Sequence, residues 1–132
     1  MKVSVVNLMD LAGAELLRRV FSYSPTTEEI DLFDISLKRD GKVLVANFDL
    51  IGQIPDRPPE KWKSFNKCRV GIYCASIDGL ILSGWGMRNI SSLGIGKLSD
   101  GYEVKISGES VNIDFRCQFV SLVGPTVYFD EE

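Results

Sequence analysis

Hydrophobic side chains recur at two different periods along this chain, and the change falls near residue 31. Residues 8–21, LMDLAGAELLRRVF, place Met9, Ala12, Gly13, Leu16, Leu17, Val20 and Phe21 on one stripe at spacings of three and four. Glu15, Arg18 and Arg19 fall on the other side. The spacing predicts an amphipathic helix with Asn7 as its N-cap and Ser24-Pro25-Thr26 as its stop. From residue 31 the period is two. Strand pairs are expected at 31–38 with 42–51 about Arg39-Asp40-Gly41, at 67–77 with 80–88 about Asp78-Gly79, and at 92–98 with 102–107 about Asp100-Gly101. A last strand over 110–120 alternates Val111, Ile113, Phe115, Cys117 and Phe119 with polar residues.

The pattern predicts an α+β fold: an N-terminal amphipathic helix packed on a meandering antiparallel sheet of about seven strands. A meander of that length can also curl toward a barrel with the helix as a plug, and periodicity leaves both open. A chain of 132 residues fits a single domain over 1–132.

Composition narrows the function classes. The net charge of −3 lacks the basic excess that a nucleic-acid binder needs. No apolar run is long enough to span a bilayer. Asn7 and Asp10 interrupt the apolar start, which argues against a signal peptide, so a cytoplasmic protein is expected. Cys68, Cys74 and Cys117 cannot all pair, and each shares parity with apolar neighbours, so buried reduced thiols are expected. The tail Asp130-Glu131-Glu132 reads as a solvated end.

Catalytic constellations are scarce. The chain has no histidine, which removes Ser-His and Cys-His pairs, imidazole bases and H-E-x-x-H metal sites. Ser64-Phe65-Asn66-Lys67 matches S-x-x-K without its companion motifs. Asp31 and Asp34 point to opposite strand faces, while Asp49 and Asp114 read as solvated positions on separate strands. No enzyme activity, cofactor, metal site or nucleic-acid partner is expected.

The segment Pro55-Asp56-Arg57-Pro58-Pro59-Glu60-Lys61-Trp62 interrupts the strands with three of the five prolines. Proline removes a backbone donor, so this strap is not a central strand. Pro59 suits the first position of a short helical turn that brings Trp62 and Phe65 to one side. Either those rings close one end of the apolar sheet face, or the strap is a preorganised loop for a partner. Trp85, between Gly84 and Gly86 and followed by Met87-Arg88, has two readings as well: an exposed hot spot, or a ring folded across the sheet.

Helix, hairpin, Pro-Asp-x-Pro-Pro-x-Lys-Trp strap, Gly79-Leu80, Gly84-Trp85 and the ending Phe115-Arg116-Cys117 follow in an order that resembles the fiftieth numbered family of immunity proteins of bacterial polymorphic-toxin systems. The likeness covers roughly residues 8–128. It implies a cytoplasmic antidote that binds a cognate toxin domain and occludes its active site, and it carries no catalytic residues. Trp85, Arg88, Asp56, Arg57 and Glu60 are the residues expected to contact the toxin. The alternative function is a small-molecule-binding β-domain with an apolar ligand under the helix, in a cavity lined by Phe48, Ile72 and Phe115.

Overall fold

The computed structural model describes residues 4–131. Its strands are β1 (Ser4–Val5), β2 (Ile30–Lys38), β3 (Val43–Leu50), β4 (Lys67–Ala75), β5 (Asp78–Ser83), β6 (Ile90–Lys97), β7 (Tyr102–Gly108), β8 (Asn112–Cys117) and β9 (Phe119–Tyr128). One short helix, α1 (Glu15–Val20), follows a 3-10 turn at Leu8–Asp10. All named strand pairs are antiparallel, in the order β5-β8-β7-β6-β2-β3-β4-β9, with β1 beside β6. The path has two ends, so the sheet does not close.

The sheet is hinged in its middle. β2 and β6 share only the pairs Ile30↔Ser91 and Asp31↔Ile90. Beyond them, Thr27 takes over the edge of β6: its carbonyl accepts from the Leu93 N–H at 2.9 Å and its hydroxyl donates to the Leu93 carbonyl at 2.7 Å. With so short a joint the two halves can turn their apolar faces toward one core. Phe48 and Ile72 from one half, Ile106 and Phe115 from the other, and Leu17, Val20 and Phe21 from the helical segment belong to a single buried cluster.

Parity was legible wherever strands ran straight. Leu44, Ala46, Phe48 and Leu50 are all buried, and so are the three thiols. Cys74 and Cys117 lie close enough to share a hydrogen bond, which together with burial pushes the Cys74 thiol up and keeps it protonated.

Three expectations are corrected. The helix over 8–21 is broken at 11–14, because this segment pairs with β9 instead of with itself. Ala12 bridges Ser121, and the Leu122 N–H donates to the Ala12 carbonyl at 2.8 Å. Gly13 makes the approach feasible at φ +85°, where a Cβ would stand 2.6 Å from the Leu122 carbonyl oxygen.

Second, β4 and β5 are not a hairpin about Asp78-Gly79. The chain turns at Ser76 (φ +56°), whose N–H donates to the Gly41 carbonyl, and β5 then pairs with β8. Residues 84–89 leave the strand.

Third, the strand over 110–120 is two strands. At Gln118 the chain crosses between the halves, its N–H donating to the Ala75 carbonyl at 3.1 Å. Parity shifts there, so Val120 is buried while Phe119 is 66% exposed. This split and the short β1 bring the described strands to nine against the seven expected. Among the described residues, no helix is long and apolar enough to cross a membrane.

Candidate partner-binding surface

Both ends of the 84–89 loop are fixed by residues with little freedom. Gly84 sits at φ +74° against Ser110, so close that a Cβ would lie 1.7 Å from its carbonyl oxygen. At the other end Asn89 is 2% exposed. Its Oδ1 accepts from the Gly86 N–H at 2.9 Å and its Nδ2 donates to the Gly86 carbonyl at 3.0 Å. The Asn89 carbonyl also accepts from Leu32 N–H and Ser91 Oγ. Between these anchors Trp85 is 47% exposed, Met87 is fully exposed, and the Arg88 side chain is 79% exposed. A large ring, a thioether and a guanidinium are thus presented on a loop held at both ends, which lowers the entropic cost of binding.

Arg88 borders a cleft of about 530 Å³, its guanidinium 4.0 Å from the Asp31 carboxylate. The floor is a cluster on the polar face of β3, β4 and β9. Arg69 donates from Nε to Asp49 Oδ1 at 2.8 Å and from Nη2 to Asp49 Oδ2 at 3.2 Å. It also donates from Nη2 to the Tyr128 hydroxyl at 3.0 Å, and that hydroxyl donates to Asp49 Oδ2 at 2.5 Å. The hydrogen bond to Asp49 raises the Arg69 pKa, and burial, followed by the hydrogen bond to Asp49 and then the Asp49 charge, pushes the Tyr128 phenol up to about 12.

Phe33 forms one wall. The β2–β3 register slips between Leu32 and Asp34, and the unpaired Phe33 turns outward, 56% exposed, with the Arg69 guanidinium carbon 3.8 Å from its ring centroid. Tyr128 flanks the same guanidinium at 4.8 Å. Lys67, Arg88, Asp31 and Asp130 stand around this floor.

On the other side of the loop, Trp85 lines a cleft of about 340 Å³ together with Asp34, Ile35, Leu37 and Leu82. Strand β2 therefore contributes to both clefts, Asp31 and Phe33 to the first and Asp34, Ile35 and Leu37 to the second.

The strap residues lie elsewhere. The Asp56 carboxylate accepts from the Ser22 N–H at 2.8 Å and from the Ser22 hydroxyl, and these bonds hold its pKa below the usual value. Arg57 donates from its backbone to the Val20 carbonyl at 2.9 Å and from its guanidinium to the Phe21 carbonyl at 2.7 Å. Arg57 therefore satisfies carbonyls that the end of α1 leaves unpaired, while Asp56 accepts from the Ser22 donors just beyond it. Glu60 is exposed in the turn that Pro59 opens, where the Trp62 N–H donates to the Pro59 carbonyl at 3.0 Å. Trp62 packs on the core cluster and meets Phe65 edge to face at 6.2 Å.

Of the five residues expected to contact a partner, the fold brings Trp85 and Arg88 to one loop and puts Asp56, Arg57 and Glu60 on the strap. Sequence reasoning missed Phe33, Arg69 and Tyr128 and took Asp49 for a solvated carboxylate, whereas it is 9% exposed and paired. A signal existed: Asp49 and Arg69 are opposite charges on polar faces of strands that turn out to be neighbours. Phe48, Ile72 and Phe115, expected to line a ligand cavity, are fully buried within the core cluster, and none of the clefts described here includes them.

A family model described as Immunity protein 50 matches residues 13–128. No curated protein and no solved structure matches the chain.

Proposed function

The chain belongs to the Immunity protein 50 family, and from that premise we propose that it binds a cognate toxin domain and neutralises it by covering the toxin's active site. The action is non-enzymatic and takes place in the cytoplasm, where three buried thiols would stay reduced.

The observation that supports a binding face is the braced 84–89 loop between two clefts. Trp85, Met87 and Arg88 project from it, and Phe33 and the Asp49–Arg69–Tyr128 cluster lie alongside. Exposed aromatic, methionine and arginine side chains are the types enriched at interface centres, and a rigid support improves what they contribute. The strap, engaged with the end of α1, supports this face less directly, although Glu60 remains open to solvent.

Co-expression with the C-terminal domain of the protein encoded beside it tests the reading. A stoichiometric complex and restored growth of the toxin-expressing host are expected, together with an affinity loss of about 2 kcal/mol or more for Trp85→Ala at unchanged folding. Unchanged affinity in a folded Trp85→Ala protein removes Trp85 from the interface. A chain that elutes alone, beside a neighbour that is harmless or unaffected, overturns the immunity mechanism.

A further inference from the structure

The cleft under Trp85 differs from an ordinary apolar dimple because it lies between strand segments with unused main-chain hydrogen bonding. β5 is the first strand of the sheet path and pairs with β8 on one side only. β2 pairs with β3 from Ile30 to Lys38 except at the bulged Phe33, but on its other side pairs with β6 only at Ile30 and Asp31. Residues 33–38 of β2 and 78–83 of β5 thus each carry one edge without a strand partner among the described residues. The two segments are tied together at their ends. The Asn89 carbonyl takes the Leu32 N–H at 3.1 Å, while Ser76 and Ile77 donate to the Gly41 and Lys42 carbonyls at 3.1 and 2.9 Å. Between those ties Ile35, Leu37, Leu82 and Trp85 line the open cleft.

The opposite end of the sheet path is treated differently. There β9 is bridged by Ala12 and carries Pro125, two ordinary means of closing an edge. β5, by contrast, reads Asp-Gly-Leu-Ile-Leu-Ser, with no lysine or proline, and leaves Ile81 64% exposed. An unguarded edge beside apolar side chains is the arrangement that accepts an added strand.

Resting on the immunity reading, we infer that this seam takes an extended segment of the toxin, whose backbone pairs with the β2 or β5 edge and whose apolar side chains sit on Leu37, Leu82 and Trp85. Charge and access together decide between two strand-like occupants. Asp34 is the one charged residue lining the cleft; its carboxylate accepts from Asn47 Nδ2 at 2.7 Å and has no ion-pair partner among the described residues. The complementary segment carries a lysine or arginine opposite Asp34. A second copy would bring Asp78 and no cation on β5. Its Lys38 sits on a β2 that is paired to β3 and tied to the β5 segment at both ends, so that strand cannot enter the seam as a free segment and self-pairing is the poorer match.

The test is amide hydrogen exchange on the full chain, alone and with the C-terminal domain of the neighbouring protein, alongside affinities for wild type and Asp34→Lys. Protection is expected at 33–38 and 79–83 on complex formation, with at least about a tenfold affinity loss in a folded Asp34→Lys protein. A complex that rescues the host yet leaves both segments unprotected overturns the seam and leaves the immunity mechanism standing. Protection that appears in the chain alone as its concentration rises, together with a dimer on sizing, assigns the seam to a second copy instead. Absence of any complex removes the immunity mechanism and this inference with it.

Discussion

Asp49 and Arg69 are register partners on β3 and β4, and their side chains meet in a two-point ion pair at 2.8 and 3.2 Å. The carboxylate side chain is 12% exposed and the guanidinium 27%, so neither is fully solvated. Such a pair costs little while intact and much when halved, because the remaining charge stays partly desolvated. Asp49→Ala should therefore destabilise the protein by about 1–3 kcal/mol, read as a lower midpoint in urea unfolding. Removing both charges with Asp49→Ala and Arg69→Met should recover part of that loss. Two single effects that simply add would show that the pair is uncoupled.

Two glycines on one loop should respond unequally. Gly84 lies at positive φ against the Ser110 carbonyl, whereas a Cβ on Gly86 would meet nothing nearer than 3.7 Å. Gly84→Ala is expected to lose more than about 1 kcal/mol, and Gly86→Ala to stay within about 0.5 kcal/mol of wild type. Thermal melts of the two variants side by side decide this.

Asn89→Ala removes both side-chain bonds that close residues 86–89. Cleavage by a nonspecific protease is expected to increase within this loop, and toxin affinity to fall while the rest of the fold persists. Equal cleavage in wild type and variant would show that the loop is held by other contacts.

Strap substitutions should act on stability first. Arg57→Ala loses the bond to the Phe21 carbonyl, with an expected cost of about 1 kcal/mol in urea. A fully stable Arg57→Ala protein with weakened toxin binding would reverse this assignment and return Arg57 to the interface.

The phenol of Tyr128 provides a pH signature. Its pKa rises from 10.0 to about 12 on folding, because the tyrosinate would be desolvated beside Asp49. The folded state thus retains a proton that the unfolded chain gives up earlier. The resulting stability is complete below pH 10 and is lost as pH climbs toward about 12. Cys68, also pushed up to about 12 by burial and then by the Asp49 charge, adds to the same alkaline loss. An ultraviolet titration should show one of the four phenols ionising late, and Tyr128→Phe should abolish that step. Four phenols titrating together in the folded wild type would contradict the cluster.

Legibility of the fold followed the range of the interactions. Strand faces such as Leu44–Leu50 and Cys68–Cys74 could be read because alternation is a property of the strand itself. The helix was overestimated because its stripe is a local signal, whereas the Ala12 carbonyl is claimed by Leu122, more than a hundred residues away. The same holds at Gln118. No local feature reveals that the chain changes halves there, and one unpaired residue is enough to turn Phe119 outward. At the candidate surface, Trp85 and Arg88 stood out by residue type, but Phe33 depended on a bulge and Asp49 on its neighbour across the sheet.

The sequence by itself determined the family, the antiparallel strand-rich character, the burial of all three thiols and the lack of any imidazole chemistry. Those follow from composition, period and order of motifs, which need no knowledge of what lies beside what. Strand order, the hinge between β2 and β6, the open β5 edge and the Asp49–Arg69–Tyr128 cluster were decided only in the tertiary structure. Each depends on which distant segment satisfies a backbone or charged group, and one strand's alternation is compatible with many partners.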